Sequence, residues 1–123
     1  MRMNYFVLGS NNLDASIKFY DALFENTEFK RVLSTDRMTY WQDVHTDAAF
    51  AVAKPFDEKP ATNGNGTMLG FDMNSIEEVR RFYNKAIELG GTCEGEPNQR
   101  GPRFSAYVRD LDKNKIAFGF LNT

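Results

Sequence analysis

Apolar positions along this chain change their spacing several times, and each change marks an element. Met3 to Leu8 is a short apolar run that reads as a strand. Asn11 with Asp14 three residues later resembles a capping box, and Leu13, Ile17, Tyr20 and Leu23/Phe24 follow at helical spacing, so one helix face is predicted to be buried. Phe29 to Ser34, Met38 to Gln42 and Ala48 to Ala53 read as three strands divided by short polar breaks. Lys54 to Gly66, with two Pro and two Gly among polar residues, is expected to be a loop.

The order then begins again. Thr67 to Met73 is a strand, and Ser75 with Glu78 forms an S-x-x-E capping box. Ile76, Val79, Tyr83, Ala86 and Ile87 make a second buried helix face, which Gly90-Gly91 ends. Thr92 to Glu94, Phe104 to Arg109 and Lys115 to Phe120 supply the remaining strands. Phe19-Tyr20 and Phe82-Tyr83 lie 63 residues apart, as do Leu13 and Ile76, and Tyr5 and Met68. The pattern is therefore two tandem βαβββ modules, an α+β arrangement. One helix per module leaves each sheet half-covered. The two sheets are expected to curl together, or to pair across a dimer, around a cup.

Composition narrows the function classes. With 15 basic and 17 acidic residues the formal net charge is −2, which lacks the footprint of a nucleic-acid binder. No apolar run approaches the roughly 18 residues of a membrane span, and no signal-peptide core opens the chain, so a cytoplasmic protein with neither nucleic acid nor membrane as partner is expected. The single cysteine, Cys93, beside Glu94 and Glu96, reads as a packed thiol rather than a nucleophile. Aromatic residues are the unusual feature at 14 %, 11 of them Phe.

Several strings look chemical and read better as turns. Asp43-Val44-His45-Thr46-Asp47 holds the only histidine and is expected to be a solvated connection. Asp110-x-Asp112-x-Asn114 resembles half of a calcium loop, but Lys115 stands where that loop needs Gly. Asn65-Gly66-Thr67 fits a glycosylation sequon, and Gly64-x-Gly66 opens a strand rather than a phosphate-binding helix.

Three stretches carry a family resemblance. Leu13-Asp14-Ala15-Ser16-Ile17-Lys18-Phe19-Tyr20 is similar to the "DLxxSIxFY" helix of the vicinal-oxygen-chelate superfamily, which holds glyoxalase I, bleomycin-resistance proteins and extradiol dioxygenases. Gly64-Asn65-Gly66-Thr67 resembles that family's entry to the second module. Tyr107-Val108-Arg109-Asp110-Leu111-Asp112-Lys113-Asn114-Lys115-Ile116 resembles "YVRDPDGNKIE", with Leu111 and Lys113 replacing the usual Pro and Gly. The resemblance implies one glyoxalase/bleomycin-resistance domain over residues 1–123, with module one about 1–55, a linker about 56–66 and module two about 67–123. It also implies a homodimer with the strands wrapped around a ligand cup.

In metal-using members the ligands sit on the first and last strands of each module. Here Tyr5 and Met68 stand at the two first-strand positions, Ala117 at the final Glu position, and Ala48 to Ala53 contains no His, Asp or Glu. A phenol, a thioether and a methyl group do not replace imidazole and carboxylate for Zn, Ni, Mn or Fe, so no metal cofactor is expected. Tyr5, Trp41, Phe50, Met68, Phe104, Tyr107 and Ala117 are the expected pocket residues. In this reading the Tyr5 or Tyr107 hydroxyl orients a planar or apolar small molecule, and Arg100, Arg103 and Lys54 clamp an anionic group. Two other readings stand beside this metal-free binder. One is a glyoxalase-like lyase or isomerase, for which no catalytic residue can be named; the other is an interaction module whose aromatic face is a dimer surface.

Overall fold

The structure is a computed structural model that describes all 123 residues. They divide into two compact units, Met1–Asn63 and Gly64–Thr123. Unit one runs β1 (Tyr5–Gly9), α1 (Leu13–Leu23), β2 (Phe29–Ser34), β3 (Met38–Asp43) and β4 (Ala49–Ala53). Unit two runs β5 (Leu69–Asp72), α2 (Ile76–Glu88), β6 (Thr92–Arg100), β7 (Arg103–Arg109) and β8 (Lys115–Leu121). Each is a four-stranded mixed sheet, ordered β1-β4-β3-β2 in one and β5-β8-β7-β6 in the other. The first strand lies parallel to the last in both, and the other pairings are antiparallel. The tandem βαβββ order read from the sequence is thus the observed one.

Side chains alternate across a strand, and the helix takes one face of each sheet. In unit one Tyr20 of α1 packs its ring 4.6 Å from Phe50 and 6.0 Å from Trp41, with Phe24 at 5.6 Å. The Trp41 indole N–H donates to Asp21 Oδ1 at 2.9 Å, and Asp21 also pairs with Arg31. In unit two Phe118 meets Phe82 of α2 and Phe71 of β5, above fully buried Val79, Val108 and Ile116.

The helix starts differ from one another. Ser75 Oγ accepts from the Glu78 amide at 3.1 Å, and Glu78 Oε1 accepts from the Asn74 amide, so the expected cap forms with its return bond shifted one residue outward. At α1 the cap is Asn12, not Asn11: Asn12 Oδ1 accepts from the Ala15 amide. Asn11 is occupied elsewhere, bonded through both amide atoms to the Ala61 backbone. Gly90, at φ +104°, ends α2 in the left-handed region as expected. Gly91 follows with its amide donating to Ala86 O, and a Cβ there would stand 2.8 Å from Ala86 O and 2.9 Å from Arg109 O.

β6 is longer than the three residues read from the sequence and reaches Arg100. Gly95 and Pro97 look like a strand end in a sequence. β6 is an edge strand with register shifts on both sides of Gly95, and an edge bulge is where a sheet tolerates Pro.

Both suspect strings are turns. Asp43 Oδ1 accepts from the amides of His45 and Thr46. Asp110 Oδ1 accepts from the amides of Asp112 and Asn114, holding Lys113 at φ +67°. The register beyond is undisturbed, with Arg109 opposite Lys115.

Candidate functional site

The face of each sheet that its helix does not cover is where a small molecule can approach. Its residues follow from parity. Phe50 and Val52 of β4 point to the helix side, so Ala49, Ala51 and Ala53 point to the open side. The register sets Ala51 between Val7 of β1 and Tyr40 of β3. Unit one's open face is therefore a row of alanines on the second strand, flanked by larger side chains. The Tyr5 ring stands edge-on to Tyr40 at 6.4 Å.

A hollow of about 690 Å³ lies on this face, bordered by Tyr5, Val7, Tyr40 and Ala53 on the strands and by Lys54 and Phe56 on the following loop. That loop is held at two points. Asn11 grips Ala61, and Arg37 donates to Lys54 O at 2.8 Å while its guanidinium lies 5.6 Å from the Phe56 ring centre.

Unit two repeats the plan with other side chains. Ile116 and Phe118 of β8 face the helix, so Ala117 and Gly119 face outward, Ala117 between Gly70 and Tyr107, Gly119 between Asp72 and Ser105. A hollow of about 320 Å³ opens above them, bordered also by Met68, Arg100 and Arg103. Arg103 pairs with Asp72 at 3.2 Å. Arg100 donates to the carbonyls of Ser105 and Glu96 and lies 5.1 Å from the Tyr107 ring centre.

The expected pocket residues separate on this geometry. Tyr5, with Lys54, borders the hollow of unit one; Met68, Tyr107 and Ala117, with Arg100 and Arg103, border that of unit two. Trp41, Phe50 and Phe104 do not line either hollow. Trp41 and Phe50 are each 1 % exposed in the cluster around Tyr20, and Phe104 is buried beneath Arg80 of α2. The physical reason is volume: the large rings fill the space between sheet and helix, and the open face of the same strands carries small residues. Val7, Tyr40, Phe56 and Asp72 are lining residues that the sequence reading passed over. Stepping by two from Tyr5, Met68 or Ala117 would have found Val7 and the open face of β5 and β8.

The same geometry tests the metal that the resemblance brings to mind. The positions in question carry a phenol at Tyr5, a thioether at Met68, methyl groups along the open face of β4 and another at Ala117. That set offers no imidazole and no carboxylate, and does not fit a divalent transition metal. Nowhere in the chain do three His, Cys, Asp or Glu side chains come together as a metal-holding group. No helix is long and apolar enough to cross a membrane.

Comparison with known proteins agrees with the fold and the motifs. The family profile described as Glyoxalase/Bleomycin resistance protein/Dioxygenase superfamily matches residues 2–118. Among solved structures, a glyoxalase/bleomycin resistance protein from Albidiferax ferrireducens T118 is similar at 33 % identity and a TM-score of 0.87, covering 96 % of this chain and 97 % of that one. A hypothetical protein from S. aureus is 26 % identical with a TM-score of 0.75, over 100 % and 94 % of the two chains. A lactoylglutathione lyase from Agrobacterium tumefaciens, 18 % identical with a TM-score of 0.72 over 97 % and 92 %, shares the fold. No curated protein matches the sequence. A profile match over nearly the whole sequence and a solved relative at one-third identity establish that this chain belongs to the glyoxalase/bleomycin resistance/dioxygenase superfamily.

Proposed function

We propose that this protein binds a small apolar or aromatic molecule on its open sheet faces and does so without the metal used elsewhere in its superfamily. One observation carries the reading. Where metal donors would stand, the chain places Tyr5, Met68 and Ala117 around hollows floored by Ala and Gly. Space above a small-residue strand, walled by rings and a thioether, suits apolar burial and stacking. The hydroxyls of Tyr5, Tyr40 and Tyr107 supply the few polar contacts that orient a ligand in such a site. Binding without chemistry asks nothing of the absent donors.

The test has two steps. Metal content of the purified protein is measured, and its melting temperature is followed during titration with Ni, Zn, Mn and Fe. The expectation is substoichiometric metal and no shift. Planar aromatic compounds are then titrated, and a binder gains stability as RT ln(1 + [L]/Kd). Near-stoichiometric metal with a clear upward shift would overturn the metal-free reading, and absence of stabilisation by any aromatic probe would overturn the ligand class.

A further inference from the structure

We infer that the open face of unit two is an anion site, which takes a small planar molecule through a carboxylate or similarly shaped oxyanion held by Arg100 and Arg103. The inference rests on the small-molecule reading above and names the chemical class that this face accepts.

The first observation is a broken local rule. Arg100 and Arg103 are directly opposed across the β6–β7 hairpin, and like charges in that position destabilise a sheet. Sequences depart from such rules where function requires it. Arg103 is met only by an ion pair with Asp72 that is open to solvent, with side chains 47 % and 81 % exposed, so water screens it. Arg100 makes no ion pair; it donates to the carbonyls of Ser105 and Glu96 and to the Ser105 hydroxyl, and lies by the ring of Tyr107. The Lys115 ammonium lies 5.2 Å from the centre of that same ring and is likewise in no ion pair. Arg100 and Lys115 therefore both lie close to the Tyr107 ring without an ion pair, and Arg100 and Tyr107 border the hollow.

The second observation is that both guanidinium groups have ground cleared for them. A Cβ at Gly95 would stand 2.8 Å from Tyr107 Cδ2 and 3.1 Å from Arg100 Nη2, so glycine there lets the Arg100–Tyr107 stack form. A Cβ at Gly119 would stand 3.1 Å from Arg103 Nη2 and 3.3 Å from Nε, so Arg103 lies flat across the floor strand. Solvated surface arginines need no such clearance. Held in place before a ligand arrives, they lose less conformational freedom on binding. A planar guanidinium fork matches the two oxygens of a carboxylate. The space over Gly70, with nothing within 4 Å of where its Cβ would be, leaves room for the flat remainder of the ligand.

The test compares 2-naphthoate with 2-naphthamide, which share ring and size and differ in charge, by calorimetric titration of the full chain. Naphthoate is expected to bind roughly tenfold or more tightly, since a charge-assisted hydrogen bond outweighs a neutral one. That preference is expected to shrink as ionic strength rises. Arg100→Met and Arg103→Met each bring the ratio toward one, and Gly119→Ala, which keeps every charge but displaces the Arg103 guanidinium, lowers it partway. Equal binding of both probes by the unaltered protein overturns the anion site and leaves the small-molecule reading standing. Binding of neither overturns both. A naphthoate preference undiminished in the two arginine variants overturns the assignment to Arg100 and Arg103. The unaltered-protein comparison decides the matter even where a variant fails to fold.

Discussion

The two units follow one plan of strand order and pairing and fill it with different material. Unit one packs an aromatic cluster, Tyr20, Phe24, Trp41 and Phe50, between helix and sheet. Unit two relies on Val79, Val108 and Ile116, with Phe118 as its largest fully buried side chain. The open faces differ too: Tyr5, Val7 and Tyr40 with Arg37 in the first, Met68 and Tyr107 with Arg100 and Arg103 in the second. A repeated backbone thus tolerates independent choices on each face of each sheet. What has to agree between the repeats is the alternation of inward and outward positions, not the residues themselves.

The strongest way to probe this contrast is to hollow out each core. Phe50→Ala is expected to cost about 3–5 kcal/mol, because it empties the centre of a ring cluster that cannot collapse around the gap. Val79→Ala in unit two, where a smaller side chain is removed, is expected to cost about 2 kcal/mol. Urea denaturation midpoints at constant m-value measure both. Equal losses would mean that the aromatic cluster contributes no more than aliphatic packing.

Next in size is a backbone contact found in unit two. Gly91→Ala sets a methyl group against the carbonyl oxygens of Ala86 and Arg109, neither of which can swing aside. A loss of about 2 kcal/mol is expected, in the range for overpacking, and thermal unfolding reads it. A neutral result would show that the turn after α2 has slack.

A smaller effect, with the opposite sign, comes from unit one. Ser16 Oγ is buried in α1 with no hydrogen-bond partner, whereas the position 63 residues later is Val79, buried and apolar. Ser16→Ala removes the orphaned hydroxyl and improves helix propensity, so stability is expected to rise by about 1 kcal/mol. A fall on denaturant unfolding would mean that the hydroxyl has a partner after all.

The smallest effect appears only at alkaline pH. The Tyr83 phenol is pushed up from 10.0 to about 12, first by a hydrogen bond with Cys93, then by burial and by charge on Cys93 and Glu96. A raised value in the folded state means that folding holds this proton more tightly. The associated stability is full below pH 10 and is lost as pH rises from there through about 12. Cys93→Ala is expected to bring the phenol back toward its ordinary value and to flatten the alkaline loss, as followed by phenolate absorbance and by unfolding at a series of pH values. An unchanged profile would remove Cys93 as the cause.

Most of the fold was legible in the sequence because periodicity records it directly. Both helices, and the β2 bounds Phe29–Ser34, follow from spacing alone. Lys113 replaces a glycine that the motif resemblance leads one to expect, yet the register survived, since the Asp110 carboxylate holds the turn through two amides. β6 was cut short because Gly95 and Pro97 are breakers in an isolated strand and acceptable in a bulged edge. The site was harder to read. In β4 and β8 both faces are apolar, so alternation gives two sets of residues without saying which set faces the helix. Choosing pocket residues by size selected Trp41, Phe50 and Phe104, which the helix needs, over Tyr40 and Val7. Arg100 and Arg103 are read from the sequence as part of a charge clamp with Lys54, but their direct opposition follows only from the hairpin register, and Lys54 borders the other hollow.

The alanines and glycine along the outward side of β4 and β8 have a bearing on how such a protein can change over generations. Their opposite sides, Phe50 and Val52 in one strand, Ile116 and Phe118 in the other, anchor the helices. Selection for folding therefore acts on one set of codons and selection for what the hollow accepts acts on the set between them. On the binding proposed above, a larger residue at Ala53 or Ala117, which border the hollows, changes the space offered to a ligand from the side of the strand opposite the helix. On that proposal, the accepted molecule is altered by outward substitutions while the helix-anchoring side of each strand stays as it is.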